Sequence, residues 1–260
     1  MLLVSDVTVK LGKHKVLHGV DFSAAAGAVT AIVGPNGSGK TTLLRAITGD
    51  VAHSGCVKLD GEDISHLKPW DLALRRAVLP QATRLAFPFT VYEVVSLGLS
   101  AGSDETETDL VSQALDRVGL VGFEGRFFQE LSGGEQQRAQ LARVLVQVWS
   151  PVVSGKPCWL FLDEPVASLD IGHQLDVMKL CQAYAKEGGG VVAVMHDLNL
   201  TAMFADSVAM IHDGRLIAQG CPDDVLTDDL LSHAYGCRLR VNATPSGATR
   251  FVLPQTAAIN

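Results

Sequence analysis

Eight consecutive residues, Gly34, Pro35, Asn36, Gly37, Ser38, Gly39, Lys40 and Thr41, satisfy the spacing G-x-x-x-x-G-K-[ST]. They lie between an apolar run, Ala28–Val33, and a helix-like run that opens at Lys40. Glycines at these spacings let successive backbone N–H groups converge on phosphate oxygens with no Cβ in the way. The helix start that follows adds its partial positive charge. The ammonium of Lys40 is expected at the β- and γ-phosphates of a nucleoside triphosphate, and the Thr41 hydroxyl at a Mg²⁺ ion. Thr42 extends the binding stretch. Alone, such a loop specifies a nucleotide and Mg²⁺ and covers kinases, GTPases and motors alike.

A second pattern places acids at the end of a strand. Cys158–Pro165 reads CWLFLDEP, an apolar run that finishes in Asp163 and Glu164. A parallel strand beside the phosphate loop would deliver Asp163 to the Mg²⁺ shell, directly or through water. Glu164, one residue further, would polarise a water for in-line attack on the γ-phosphate. Val192–Leu200, VAVMHDLNL, repeats the layout and leaves His196 where a γ-phosphate contact is expected.

A third pattern raises a difficulty. Leu131–Leu145 reads LSGGEQQRAQLARVL, in which Ser132, Gly133 and Gly134 open a long amphipathic helix. This is another anion-ready helix start, yet Gly34–Thr41 already forms one cradle. The stretch makes sense if it meets the nucleotide of a second copy, with two ATP molecules sandwiched in a two-fold pair. An ordinary helix start, with Ser132 as N-cap and Glu135 closing a capping box, is equally sound physically but leaves the flanking motifs unexplained.

These residues need a scaffold. Strand-like runs (VTVKL, VLHGVDFSA, AVTAIV, CWLFLD, GVVAVM, SVAMIHDG, RLIAQG) alternate with helical ones, the pattern of an α/β sheet with helices packed on it. Between Thr83 and Val148 the chain turns mostly helical, which suggests a separate helical lobe. Residues 237–260 alternate around Thr-Pro-Ser-Gly and are expected to form a terminal hairpin. The 260 residues, 47% hydrophobic and 19% charged, suit a packed globular chain. A net charge of −7 argues against a nucleic-acid partner. Five scattered cysteines suit reduced thiols, and no signal peptide or membrane-spanning run is expected.

In their order and spacing, GPNGSGKT, LSGGEQQR, LFLDEP, ASLD and VMHD resemble the nucleotide-binding subunit of an ABC transporter over nearly the whole chain. The resemblance implies a P-loop NTPase core, a RecA-like mixed sheet with helices, plus an N-terminal antiparallel β subdomain and an inserted α-helical subdomain. The implied boundaries are 1–82 and 149–236 for the core with its β subdomain, 83–148 for the helical subdomain and 237–260 for the tail. It further implies that Gln81 touches Mg²⁺ or its water. Ser168, Leu169 and Asp170 would cross a dimer interface, and Leu131, Ser132, Gly133, Gly134 and Glu135 would act in trans. His196 would hold the γ-phosphate, with ATP and Mg²⁺ as the bound species. One position departs from the family: where an aromatic residue usually stacks on adenine, this chain has Leu11. His14, a partner residue or an apolar contact from Leu11 would take that role.

Leu85–Gly98 corresponds to the region that receives a short helix from a membrane subunit, and no long coiled coil of a soluble repair or chromosome ATPase is present. His196–Leu226 resembles the ATPases that energise bacterial uptake of ferric siderophores, vitamin B12 and haem. The Pro-containing stretch Trp149–Pro157 is most similar to the haem importers among them. The expected assembly is a homodimer under two copies of a permease, served indirectly by a periplasmic haem-binding protein. It would sit peripherally on the cytoplasmic face of the inner membrane. The rival readings are a siderophore or cobalamin importer and a soluble ABC ATPase.

Overall fold

The computed structural model describes residues 1–81, 87–99, 107–244, 247 and 250–257. The chain opens with β1 (Leu2–Leu11), β2 (His14–Ala24) and β3 (Val29–Val33), then α1 (Lys40–Ile47). Next come β4 (Ser54–Leu59), β5 (Glu62–Asp63), α2 (Pro69–Ala73) and β6 (Arg76–Leu79). A helical stretch follows, with α3 (Val91–Ser96), α4 (Glu107–Arg117) and α5 (Gly133–Gln147). A small hairpin, β7 (Val152–Val153) with β8 (Lys156–Pro157), leads into β9 (Trp159–Asp163), α6 (Ile171–Lys186) and β10 (Gly190–Val194). The last elements are α7 (Leu198–Phe204), β11 (Ser207–His212), β12 (Arg215–Gly220), α8 (Pro222–Val225) and α9 (Asp228–Tyr235).

Two sheets divide the strands. An antiparallel sheet runs β2-β1-β4-β5 and a mixed sheet runs β12-β11-β3-β10-β9-β6, parallel except for β12. In β1, Leu2, Val4, Val7 and Val9 turn inward while their neighbours face out, as a one-sided sheet requires. By contrast β3, β9 and β10 are buried along their whole length, because both faces of the mixed sheet are covered. Their side chains split by parity. Leu160 and Leu162 of β9 join the core under α5 and α6, whereas Trp159 and Phe161 face α1 and the antiparallel sheet. One register therefore serves both cores, and a one-residue slip would exchange them.

β10 lies between β3 and β9, so the strand bearing Asp163 is one strand removed from the strand that feeds the phosphate loop. The turn of the terminal hairpin expected within 237–260 falls partly outside the described residues; those described there form no strand and hold a 3-10 turn at Pro254–Thr256. The tail's backbone donors have other partners: the Leu239 N–H bonds the Ser232 hydroxyl at 2.9 Å and the Val241 N–H bonds Asp228 at 2.7 Å. Side chains of α9 thus hold the tail in place of a ladder. Val152–Pro157 forms an ordered hairpin. Ser154 and Gly155 both have positive φ, 51° and 74°, the turn that matches strand twist. Residues 82–86, which include the start of the expected helical lobe, lie outside the described residues.

Gly190 opens β10 directly against a buried indole: a Cβ there would lie 2.3 Å from the Trp159 ring. Gly190→Ala is expected to cost about 1–3 kcal/mol through overpacking. A lowered urea midpoint at unchanged slope checks it, and an unchanged midpoint would contradict this packing.

Candidate functional site

The phosphate loop leaves β3 through a position that only glycine fits. Gly34 has φ 145°, and a Cβ on it would lie 2.0 Å from the Ile211 carbonyl oxygen. The loop is held from behind, where the Ser38 carbonyl accepts the Gly214 N–H at 2.9 Å. Gly39, at φ 104°, then turns the chain into α1. Lys40, the first residue of that helix, is buried. Its Nζ donates to the Gly34 carbonyl at 2.8 Å and the Pro35 carbonyl at 2.9 Å. Burial lowers the pKa of Lys40, against the opposing pull of Glu164 and Asp163.

Asp163 ends β9 and is buried. The Thr41 hydroxyl donates to its Oδ1 at 3.1 Å, so α1 reaches over the end of β10 to touch β9. Burial pushes the Asp163 carboxyl up, the Thr41 bond pulls it down, and the charge of Glu164 adds to the rise. Glu164 takes a left-handed backbone, φ 55°, with its N–H on the Val194 carbonyl at 3.2 Å. This turn aims the side chain at His196, whose Nε2 lies 2.5 Å from Glu164 Oε1. His196 is pinned between β10 and α7, because Asp197 caps that helix through the Asn199 and Leu200 N–H groups.

Asn36, Gly37, Gly39, Lys40, Thr41, Thr42, Gln81, Glu164 and His196 line one cleft of about 290 Å³, together with Val16. The sheet edge thus gathers a cradle of N–H groups, a cation, two acids and an imidazole. Such a set can bind a triphosphate and take a proton from an attacking water. Val16, on β2, was not singled out in the sequence, and no local signal marks it. Leu11 and His14 pair with each other where β1 and β2 meet and are not among the lining residues.

The Ser-Gly-Gly stretch lies elsewhere. Leu131 is buried, while Ser132 and Gly133 are exposed at the start of α5, outside this cleft. Ser132 is the N-cap, and Glu135 completes a capping box with it. Gly134 abuts the next motif: a Cβ on it would lie 3.0 Å from the Ser168 carbonyl oxygen. Ser168 and Asp170 are exposed, Leu169 is half-buried, and Asp170 caps α6 through the His173 N–H. The residues after Glu135 anchor the stretch. Gln136 Nε2 donates to the Phe128 and Leu131 carbonyls, and Gln137 Nε2 to the Glu164 carbonyl at 3.3 Å. Arg138 Nη1 ties down the Val118 and Gly119 carbonyls after α4. The motif contained these residues, but the partners of Gln137 and Arg138 are distant in sequence.

Comparison with known proteins bears on this site. The family model described as "ABC transporter" matches residues 17–167. A protein of Jannaschia sp. (strain CCS1), named hemin import ATP-binding protein, is 63% identical over 257 residues, covering 99% of this chain and 95% of its own. A protein of the same name from Roseobacter denitrificans is 61% identical, covering 97% of each. A solved ATP-binding cassette, a dimer in a post-hydrolysis state with ADP and Pi, aligns at TM-score 0.74 and 26% identity. That alignment covers 85% of this chain and 99% of that one.

The burial of Asp163 has a consequence that can be measured. Its folded pKa lies above its unfolded one, so its charge costs stability above the folded value, and the cost fades as pH falls into the ordinary carboxylate range. Asp163→Asn keeps an acceptor for Thr41 and removes the charge. It is expected to raise Tm at neutral pH, to lose that advantage in acid and to abolish turnover. A Tm difference independent of pH would contradict this account.

Proposed function

Because this chain belongs to the ABC transporter family of ATP-binding proteins, we propose that it is the ATP-hydrolysing subunit that energises haem import in bacteria. The likeness to hemin import ATP-binding proteins over essentially the full chain carries the substrate assignment. The cleft chemistry supports the reaction. The triphosphate of ATP is assigned to Gly34–Thr42, with Lys40 at its β- and γ-phosphates.

Glu164 accepts the proton of the attacking water, while Gln81 and His196 position the water and the γ-phosphate. Thr41, Asp163 and Gln81 are hard oxygen donors of the kind Mg²⁺ accepts beside phosphate oxygens, and they would hold it. Bound there, the ion would offset phosphate charge and favour the ionised form of Asp163, which burial disfavours.

Ser132 and Gly134 are assigned to the nucleotide of a second copy, with Ser168, Leu169 and Asp170 crossing between the two. The exposure of Ser132, Gly133, Ser168 and Asp170, away from the chain's own cleft, supports this reading. Closure of the pair would drive two permease subunits between their inward- and outward-facing states, and hydrolysis would reset them. Among the described residues no helix is long and apolar enough to cross a membrane, which agrees with peripheral attachment through the permease.

The test is ATP-driven uptake in proteoliposomes that hold this chain, its neighbouring permease and the matching binding protein. Haem, a ferric siderophore and cobalamin are offered in parallel, and uptake of haem alone is expected. Hydrolysis with uptake of a different substrate would reject the haem assignment. Glu164→Gln is expected to lower hydrolysis by about 10²–10⁴-fold and to abolish uptake while leaving a stable Mg-ATP-dependent dimer. A variant that stays monomeric in saturating Mg-ATP would reject the two-copy site.

A further inference from the structure

A serine hydroxyl has one hydrogen to donate, and that of Ser132 is already engaged within its own chain. Ser132 Oγ donates to Glu135 Oε2 at 2.6 Å, and the Ser132 N–H donates to the same oxygen at 2.7 Å. Ser132 Oγ in turn accepts the Glu135 N–H at 3.3 Å. With both bonds made, Oγ offers solvent a lone pair and no hydrogen. A γ-phosphate arriving from a second copy would meet two acceptors, the serine lone pair and the carboxylate behind it. The Ser132 hydroxyl, and then its N–H, hold the Glu135 carboxyl below the usual range, so the group is ionised at neutral pH.

An identical box elsewhere in the chain separates local structure from chemistry. At the start of α3, Thr90 and Glu93 make the same reciprocal bonds, at 2.7 and 2.8 Å to Glu93 Oε2. That box is followed by Val91 and Tyr92, whereas Ser132 is followed by two glycines, and nothing lies within 4 Å of where a Gly133 Cβ would be. Only the second box leaves the N–H groups beside its cap open to an incoming anion.

We propose that Glu135 is a positioning residue that latches Ser132 in cis. Its carboxylate competes with the γ-phosphate held by a second copy for the one hydroxyl hydrogen, and so sets the ATP concentration at which two copies close. This rests on the two-copy reading above. Glu135 thereby acts as a brake on closure as well as a helix cap. A glutamine at this position still completes a capping box. It is a weaker acceptor, because hydrogen bonds to an ionised partner are roughly twice as strong as neutral ones. The hydroxyl is then released more readily.

The experiment titrates Mg-ATP against the Glu164→Gln protein and reads dimer formation by light scattering after size exclusion. Adding Glu135→Gln is expected to lower the ATP midpoint by about fivefold, with the Tm of the nucleotide-free protein unchanged. In a Ser132→Ala background the gain is expected to vanish, since no hydroxyl is left to release. A gain that persists there undiminished would assign the effect to charge repulsion alone and overturn the latch. An unchanged or raised midpoint would overturn it too, whether or not Tm falls. Glu93→Gln, at the matching box of α3, is expected to leave the midpoint alone, and an equal shift from it would make the effect one of helix capping. If the Glu164→Gln parent itself fails to dimerise, the two-copy reading fails, and the latch with it.

Discussion

Lys40 carries its charge into a place only 5% open to solvent, and two backbone carbonyls hold it there. A buried ammonium is costly unless its donors are met and opposite charge stands near. Both conditions shape the surrounding chain. The carbonyls of Gly34 and Pro35 turn inward only because the loop bends through backbone angles that glycine allows. The opposite charge comes from Asp163 and Glu164, which requires β9 to end level with β3. A parallel sheet supplies that alignment, since all its strands finish at one edge. The fully buried strands are therefore the price of placing charged residues together at their ends.

The helix α5 distributes the consequences. Its first turn presents Ser132 and Gly133 to solvent, and its next residues grip three separate parts of the chain. Gln136 fixes the loop before the helix, Gln137 holds the carbonyl of Glu164, and Arg138 closes the end of α4. The exposed stretch and Glu164 are thus joined through one side chain and a few residues of rigid helix.

Much of this was legible in the sequence for a physical reason. Apolar runs that end in glycine or acid leave few foldings open, and the loop, Asp163, Glu164 and His196 were placed by type and spacing. What was hidden depends on contacts between distant segments. The position of β10 between β3 and β9 carries no local mark, since all three read as similar apolar runs. Val16 is an ordinary strand residue that β2 happens to bring to the cleft. The tail alternates as a strand would, but Ser232 and Asp228 offered its N–H groups nearer partners. Capping-box Glu135 was visible as chemistry, yet its hold on the Ser132 hydroxyl needed coordinates.

The placing of β10 also sets a scale. Neighbouring strands in a sheet lie about 4.8 Å apart, a spacing fixed by backbone hydrogen bonds and indifferent to side chains. With β10 in the middle, β3 and β9 are two such steps apart, and His196 projects from between them. The width of the reaction space is therefore measured out in peptide geometry. Substitution along its rim can change acidity, charge or polarity, but it cannot widen or narrow the gap. Divergence at this rim would thus act through side chains alone, against a strand spacing that stays the same.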